Sequence, residues 1–165
     1  MKSKAIFLIP LSMIILSIFI ICIIISLIIS AFFGKKVDER KVIDMFYENK
    51  IYFENSFDEL RDTKINFNNE KTGIYVSTLG SNGKFKFVNV QEGNFNEYED
   101  TINLISRLDL SSVSKEQGNA EYITNSIVQF CQGIVYLTDR DIYENNHPIT
   151  KLVHIKDNWY YVEEE

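Results

Sequence analysis

Residues 149–162 read ITKLVHIKDNWYYV, two runs of alternating character separated by a short polar break. β-Branched and aromatic residues at a period of two mark half-buried strands, and Lys156, Asp157 and Asn158 make a three-residue connection between antiparallel neighbours. Asn158 is the residue expected to take the left-handed conformation in that turn. Counting back from it pairs Ile155 with Trp159, His154 with Tyr160, Val153 with Tyr161 and Leu152 with Val162. Alternation then sorts the faces. Val153, Ile155, Trp159 and Tyr161 belong to a core face, and Leu152, His154, Tyr160 and Val162 to the other.

Upstream of this hairpin the polar segment Asp139 to Pro148 reads as a loop. Tyr122–Phe130 and Ile134–Thr138 read as strands, with Gln132 and Gly133 forming either a tight turn or a bulge in one long bent strand. Ser111–Ser114 reads as a short strand before a turn at Glu116–Asn119. Asn96 followed by Glu99 has the spacing of a capping box, and Tyr98, Thr101, Ile102, Leu104, Ile105 and Leu108 fall at helical intervals. Ile74–Leu79 and Phe85–Val90 flank Gly80-Ser81-Asn82-Gly83, which predicts a β-hairpin. The Asn-rich stretch Asn66–Gly73 reads as a connection. From Asp38 to Asp62, Val42, Phe46, Phe53, Phe57 and Leu60 lie on one stripe of a helix, with Asp38 and Glu39 complementing the positive end of its dipole. Helices and antiparallel strands in this order predict an α+β domain over residues 35–165. The expected architecture is two helices on an antiparallel sheet of five or six strands.

Residues 5–33 differ from all of this. Only Pro10 and four serines interrupt apolar side chains over twenty-nine residues, and no charge lies among them. Such a helix is about 43 Å long at ~1.5 Å per residue, against a hydrocarbon core of roughly 30 Å. The run is about twice the ~7–15 apolar residues of a cleaved signal peptide and lacks a small-x-small site near Ala31. It therefore predicts an N-terminal transmembrane helix, residues 1–34, with the bilayer as the partner of residues 5–33. The basic residues divide between its two sides: Lys2 and Lys4 precede it, and Lys35, Lys36, Arg40 and Lys41 follow. Counting Lys and Arg alone would place the downstream side in the cytoplasm. A short basic start before a long apolar run is instead the signal-anchor arrangement, and long C-terminal domains translocate largely regardless of flanking charge, which favours the domain outside the cytoplasm.

Outside Lys2, Lys4, Lys35 and Lys36 there are thirteen basic and twenty-three acidic residues, a formal charge near −10. That argues against nucleic acid, whose phosphates need Lys and Arg. The two cysteines, Cys22 in the apolar run and Cys131 in the domain, are not positioned to pair, and Cys131 reads as a small buried hydrophobe. Asp139, Asp141 and Glu144 form an oxygen-rich segment, but it lacks the glycine and the terminal glutamate of an EF-hand loop and reads as a solvated turn. His147 and His154 have no second ligand at metal spacing and read as structural. Glu163–Glu165 reads as a solubilising tail. No catalytic, cofactor-binding or metal residue emerges from the sequence, and no cofactor is implied.

Gly133-Ile134-Val135-Tyr136 with Asn158-Trp159-Tyr160-Tyr161 resembles small uncharacterised membrane-anchored or lipid-anchored proteins of low-GC Gram-positive bacteria. The resemblance covers about the last fifth of the chain and implies the plan of an anchor followed by a small domain, with no activity and no site residue. With no lipid-attachment cysteine motif, this chain looks like the transmembrane version. The functional expectation is a non-catalytic interaction domain held at the cell envelope, partnered by another membrane or envelope protein. The alternative is a small envelope enzyme built on carboxylates that only the fold brings together.

Overall fold

The computed structural model describes residues 15–25, 36–60, 65–79, 85–116, 118–127 and 130–165. Residues 15–25 form a helix, α1, whose side chains are all exposed. Most of the expected span 5–33 lies outside the described residues, and no helix among those described is long and apolar enough to cross a membrane. Residues 36–165 form a compact unit of their own.

That unit starts with helix α2, Glu39–Glu59, capped by the Asp38 carboxylate on the Arg40 N–H at 2.9 Å. Val42, Phe46, Phe53 and Leu60 are buried as the stripe predicts, and Phe57 is half-buried. The seven-residue gap between Phe46 and Phe53 is filled by Asn49, which is buried, donates its side-chain amide to the Met45 carbonyl at 2.9 Å, and kinks the helix at φ −120°, ψ 15°.

Among the described residues eight strands make one antiparallel sheet: β1 (Asn66–Glu70), β2 (Gly73–Leu79), β3 (Phe85–Asn89), β4 (Ser112–Glu116), β5 (Asn119–Ile127), β6 (Phe130–Tyr136), β7 (Ile149–Lys156) and β8 (Trp159–Glu164). Their order is β3-β2-β1-β4-β5-β6-β8-β7. The α+β class holds, but the expected five or six strands become eight. One addition is β1, read from sequence as a connection because NFNNE has little strand propensity. Its pairing on both sides, with β2 and with β4, overrides that preference. Two further helices follow β3: α3 (Glu99–Leu108), entered through a 3-10 turn at Asn96–Tyr98, and α4 (Arg140–Asn146), in the segment expected to be a loop.

One row of side chains crosses all eight strands: Val88, Val76, Phe67, Val113, Tyr122, Ile134, Tyr161 and Val153. Together with α2 and α3 this row builds the main core, in which Phe67, Val76, Val113, Tyr122, Ile134 and Tyr161 are fully buried. Trp159 joins it beneath α2, with ring centroids 5.2, 5.9 and 6.2 Å from Phe46, Phe53 and Phe57. The opposite face holds a smaller cluster of Val135, Leu137, Tyr143 and Val162, covered by α4.

Three local readings are corrected. In the terminal hairpin, His154, Val153 and Leu152 pair as expected, but a bulge after His154 sets Lys156 rather than Ile155 against Trp159, and Asp157 rather than Asn158 takes the left-handed turn position at φ 53°. Gln132 and Gly133 are neither turn nor bulge, since both lie inside β6, and the irregularity falls on the partner strand between Ile123 and Asn125. Glu163 and Glu164 are not a tail but part of β8, and Glu163 is buried.

Glu163 belongs to a polar junction at the start of the unit. The Gln132 side chain accepts the Val37 N–H at 3.0 Å and donates to the Val37 carbonyl and to the Tyr161 hydroxyl, both at 2.9 Å. Tyr161 donates onward to Glu163 at 2.6 Å, and Lys36 donates to the other Glu163 oxygen at 2.6 Å. A fully buried glutamine amide is thereby satisfied, as burial requires.

Candidate functional site

One residue along from the core row, the opposite sheet face is polar. Register aligns Ser77, Asn66, Ser114 and Glu121 side by side across β2, β1, β4 and β5. These four floor a groove of about 720 Å³, walled on one side by the exposed ring of Phe85 and on the other by Ile142, Tyr143, Asn146 and His147 of α4 and its cap. Asn119 lies deeper, its side-chain carbonyl accepting both the N–H (3.0 Å) and the hydroxyl (3.2 Å) of Thr138.

Helix α4 positions its residues through local sequence signals. Asp139 caps it by accepting the Ile142 N–H at 3.1 Å, and Arg140 pairs with Glu144 one turn on at 2.6 Å. The residue before a proline disfavours helix, so His147, preceding Pro148, leaves the helix with φ −123°, ψ 143°. Its imidazole folds back and stacks on Tyr143, with centroids 4.1 Å apart and planes at 19°.

At this end of the groove the lining residues Glu121 and His147 converge with Glu164 of β8, which lies outside the lining itself. His147 Nδ1 lies 3.1 Å from Glu164 Oε1, and Nε2 lies 3.6 Å from Glu121 Oε1. Each is partly shielded, with side chains 32% (His147), 15% (Glu164) and 23% (Glu121) exposed. Outer hydroxyls hold both carboxylates: Ser114 donates to Glu121 Oε2 at 3.2 Å and Tyr143 to Glu164 Oε1 at 2.8 Å. Burial raises the Glu121 pKa above the ordinary glutamate range; His147 opposes the rise and Glu164 adds to it. The Tyr143 hydroxyl is also pushed up, by burial first and then by the charges of Glu121 and Glu164. Lys115, the one lysine lining the groove among the described residues, is buried with its ammonium 4.1 Å above the Phe57 ring. The groove therefore presents the neutral polar groups of Ser77, Asn66 and Ser114 along its floor, with Glu116 also in its lining and acidic chemistry at the Glu121 end.

The segment Asp139, Asp141, Glu144, read from sequence as a solvated turn, is the start of helix α4, in which Asp139 is the cap and Glu144 is paired with Arg140. His154 packs beside Tyr160 as expected, edge-on with ring centroids 5.1 Å apart, and its Nε2 lies 2.8 Å from the Asp157 carbonyl. His147, read from sequence as structural, is the histidine that the fold brings against two carboxylates. Its partners come from β5 and from the end of β8, too far along the chain for any spacing motif. The only advance signal was a run of polar residues, Ser112, Ser114 and Glu121, at the alternate positions of two strands whose other faces are core.

Compared with family models, with curated proteins and with solved structures, the chain finds no match in any of the three. The reading of the groove accordingly rests on its own geometry.

Proposed function

We propose that the chain is a membrane-anchored protein whose folded domain receives a cationic ligand in the groove of Ser77, Asn66, Ser114 and Glu121. The observation that carries the ligand reading is the convergence of Glu121 and Glu164 on His147 at one end of a polar groove. A domain with a formal charge near −10 attracts cations over distances of about a Debye length, ~8–10 Å, and the converging carboxylates give them a place to stop. The anchor reading is supported by the uncharged run 5–33 and by the exposed Ile, Leu and Phe side chains of α1. An extracytoplasmic location for the domain is the orientation the signal-anchor pattern favours.

Ligand capture is tested by thermal unfolding of the detergent-solubilised full-length chain with spermidine, arginine methyl ester, inorganic phosphate and citrate. The cations raise Tm by mass action and the anions do not, and the effect is lost in Glu121→Gln and Glu164→Gln. Equal stabilisation by anions, or cation effects that survive both substitutions, would overturn the reading. Anchoring is tested by carbonate washing of membranes: the chain stays in the pellet, and its release into the wash would remove the anchor. Protease digestion of intact protoplasts reports the orientation.

One observation favours a second reading, general acid–base catalysis. Glu121, its pKa raised by burial, sits 3.6 Å from an imidazole that also touches a second carboxylate. Incubation with isolated envelope fractions then releases low-mass products that Glu121→Gln fails to release. If both proteins leave the fractions unchanged, catalysis is excluded for those substrates.

A further inference from the structure

The cation-binding reading leaves open which cation fits the end of the groove. We propose that Glu121, His147 and Glu164 form a binding site for a divalent transition-metal ion of the zinc class, with further coordination positions facing the groove. The proposal rests on the groove being a cation-receiving site and specifies its occupant.

The donor set is mixed, two carboxylates and one imidazole, and three different elements deliver it: β5, the cap of α4 and the end of β8. One ligand atom from each residue lies within 4.8 Å of the others. Donors around a metal with bonds of ~2.0–2.2 Å stand roughly 3–3.5 Å apart. The three donors, held within 4.8 Å, stand somewhat wider than that, and only one of the two His147 nitrogens serves as ligand. Closing 4.8 Å to that spacing takes roughly 1.5 Å of glutamate side-chain movement, within the reach of ordinary rotamer adjustment.

The surroundings orient these donors in the way a metal centre needs. Ser114 donates to Glu121 Oε2 and Tyr143 to Glu164 Oε1, which holds both carboxylates in place beside the imidazole. The stacked Tyr143 ring fixes the plane of His147. Hydroxyl partners of this kind set ligand orientation at metal sites and typically change affinity about 10–100-fold. The imidazole also sets the class. Calcium and magnesium select all-oxygen shells, whereas zinc takes nitrogen and oxygen together. His147, Glu121 and the groove volume beside them leave room for water or a ligand atom as a fourth donor.

The test is calorimetric titration of Zn²⁺ into chelator-stripped, full-length protein in detergent. One ion binds per chain, and Glu121→Gln, His147→Gln and Glu164→Gln each weaken binding at least ~10-fold, while Asp141→Asn on exposed α4 leaves it unchanged. Ser114→Ala and Tyr143→Phe, which keep the ligands and remove only a hydroxyl, weaken it ~10-fold and guard against loss through misfolding. In the wild type, zinc shifts the His147 ring resonances, and calcium at the same concentration does not. Absence of saturable binding, affinity unchanged in all three ligand variants, or calcium binding as tightly as zinc would overturn the site. Spermidine stabilisation through Glu121 without zinc binding sinks the metal and keeps the cation groove; loss of both sinks both.

Discussion

Glu59, the last residue of α2, caps α3 through Thr101: one carboxylate oxygen accepts both the Thr101 N–H and the Thr101 hydroxyl, each at 2.8 Å. The other oxygen takes the Asp100 N–H at 2.8 Å. Two of the orphan donors at the helix start are thus met by a negative charge at the positive end of the dipole. The Asn96–Glu99 spacing suggested a local capping box, yet Phe95 and Tyr98 stand at the two helix entries with no side-chain cap. Tertiary packing of α2 on α3 replaced the local device, and beside it Ser56 and Thr101 share a buried hydrogen bond of 2.9 Å.

Removing that cap has a definite cost. Charge-assisted hydrogen bonds contribute about 1.5–3 kcal/mol, so Glu59→Ala is expected to destabilise the domain by about 2 kcal/mol and Glu59→Gln by about half of that. Glu97→Ala, at an exposed position in the preceding turn, changes stability by less than ~0.5 kcal/mol. Urea unfolding monitored by far-UV circular dichroism measures all three. Equal midpoints for Glu59→Ala and the wild type would show that α3 needs no cap from α2.

Trp159 gathers five aromatic neighbours, with Tyr122 and Tyr136 at 5.8 and 5.2 Å in addition to the three phenylalanines of α2. It is 3% exposed. Trp159→Ala therefore leaves a large cavity and costs about 3–5 kcal/mol. Being the only tryptophan, it reports directly on its own burial. Its fluorescence should resist iodide in the folded chain and become quenchable in urea; free quenching under native conditions would place the ring outside the core.

The elements that were legible in the sequence are those whose periodicity is long and whose partners are near. The stripe from Val42 to Leu60, the β2–β3 hairpin and most of the terminal hairpin register belong to this group, because a core face repeats within each segment. Strand β1 was not legible, since only Phe67 of its five residues enters the core and two neighbouring strands enforce its geometry. Helix α4 spans seven residues and buries Tyr143 alone, too short for any period to show. The candidate site was illegible for the same reason on a larger scale. Glu121, His147 and Glu164 meet only because β5 lies two strands from β8 and α4 crosses the face between them.

Gly133 marks a backbone approach that no side chain can share. A Cβ at this position would stand 2.2 Å from the Tyr122 carbonyl oxygen and 2.9 Å from the Ile123 Cα, both backbone atoms of the facing strand next to the bulge. Neither can yield without opening the β5–β6 ladder. Gly133→Ala is expected to cost at least ~2–3 kcal/mol, more than the usual overpacking of a flexible core neighbour. Gly93→Ala is the useful contrast, because there the nearest atoms to the Cβ belong to the Phe95 ring, a side chain that can move. Thermal unfolding of the two variants should separate them by several degrees, and equal Tm values would show that the sheet absorbs the added methyl.

Glu163 supplies the pH dependence of the junction at Lys36 and Val37. Burial alone pushes its carboxyl upward, but the Lys36 ammonium and the Tyr161 hydroxyl, each 2.6 Å away, outweigh burial and hold it below the ordinary glutamate range, with Lys151 assisting. The folded chain then gives up this proton more readily than the unfolded chain does. The resulting stability is fully present above the unfolded glutamate value and is lost as pH falls through the lower, folded one. Unfolding free energies measured between about pH 6 and pH 2 should therefore fall more steeply in the wild type than in Glu163→Gln, which has no proton to take up there. The two donors can be told apart by salt. Lys36 is 58% exposed, so 0.5 M salt, at a Debye length of roughly 4 Å, weakens its share, whereas the buried Tyr161 contact is insulated. The acid limb of the wild type should accordingly shrink in salt without vanishing, and Lys36→Ala should match the high-salt curve. Parallel pH profiles for wild type and Glu163→Gln would mean that the junction holds the strand end by shape alone and that its charge contributes nothing.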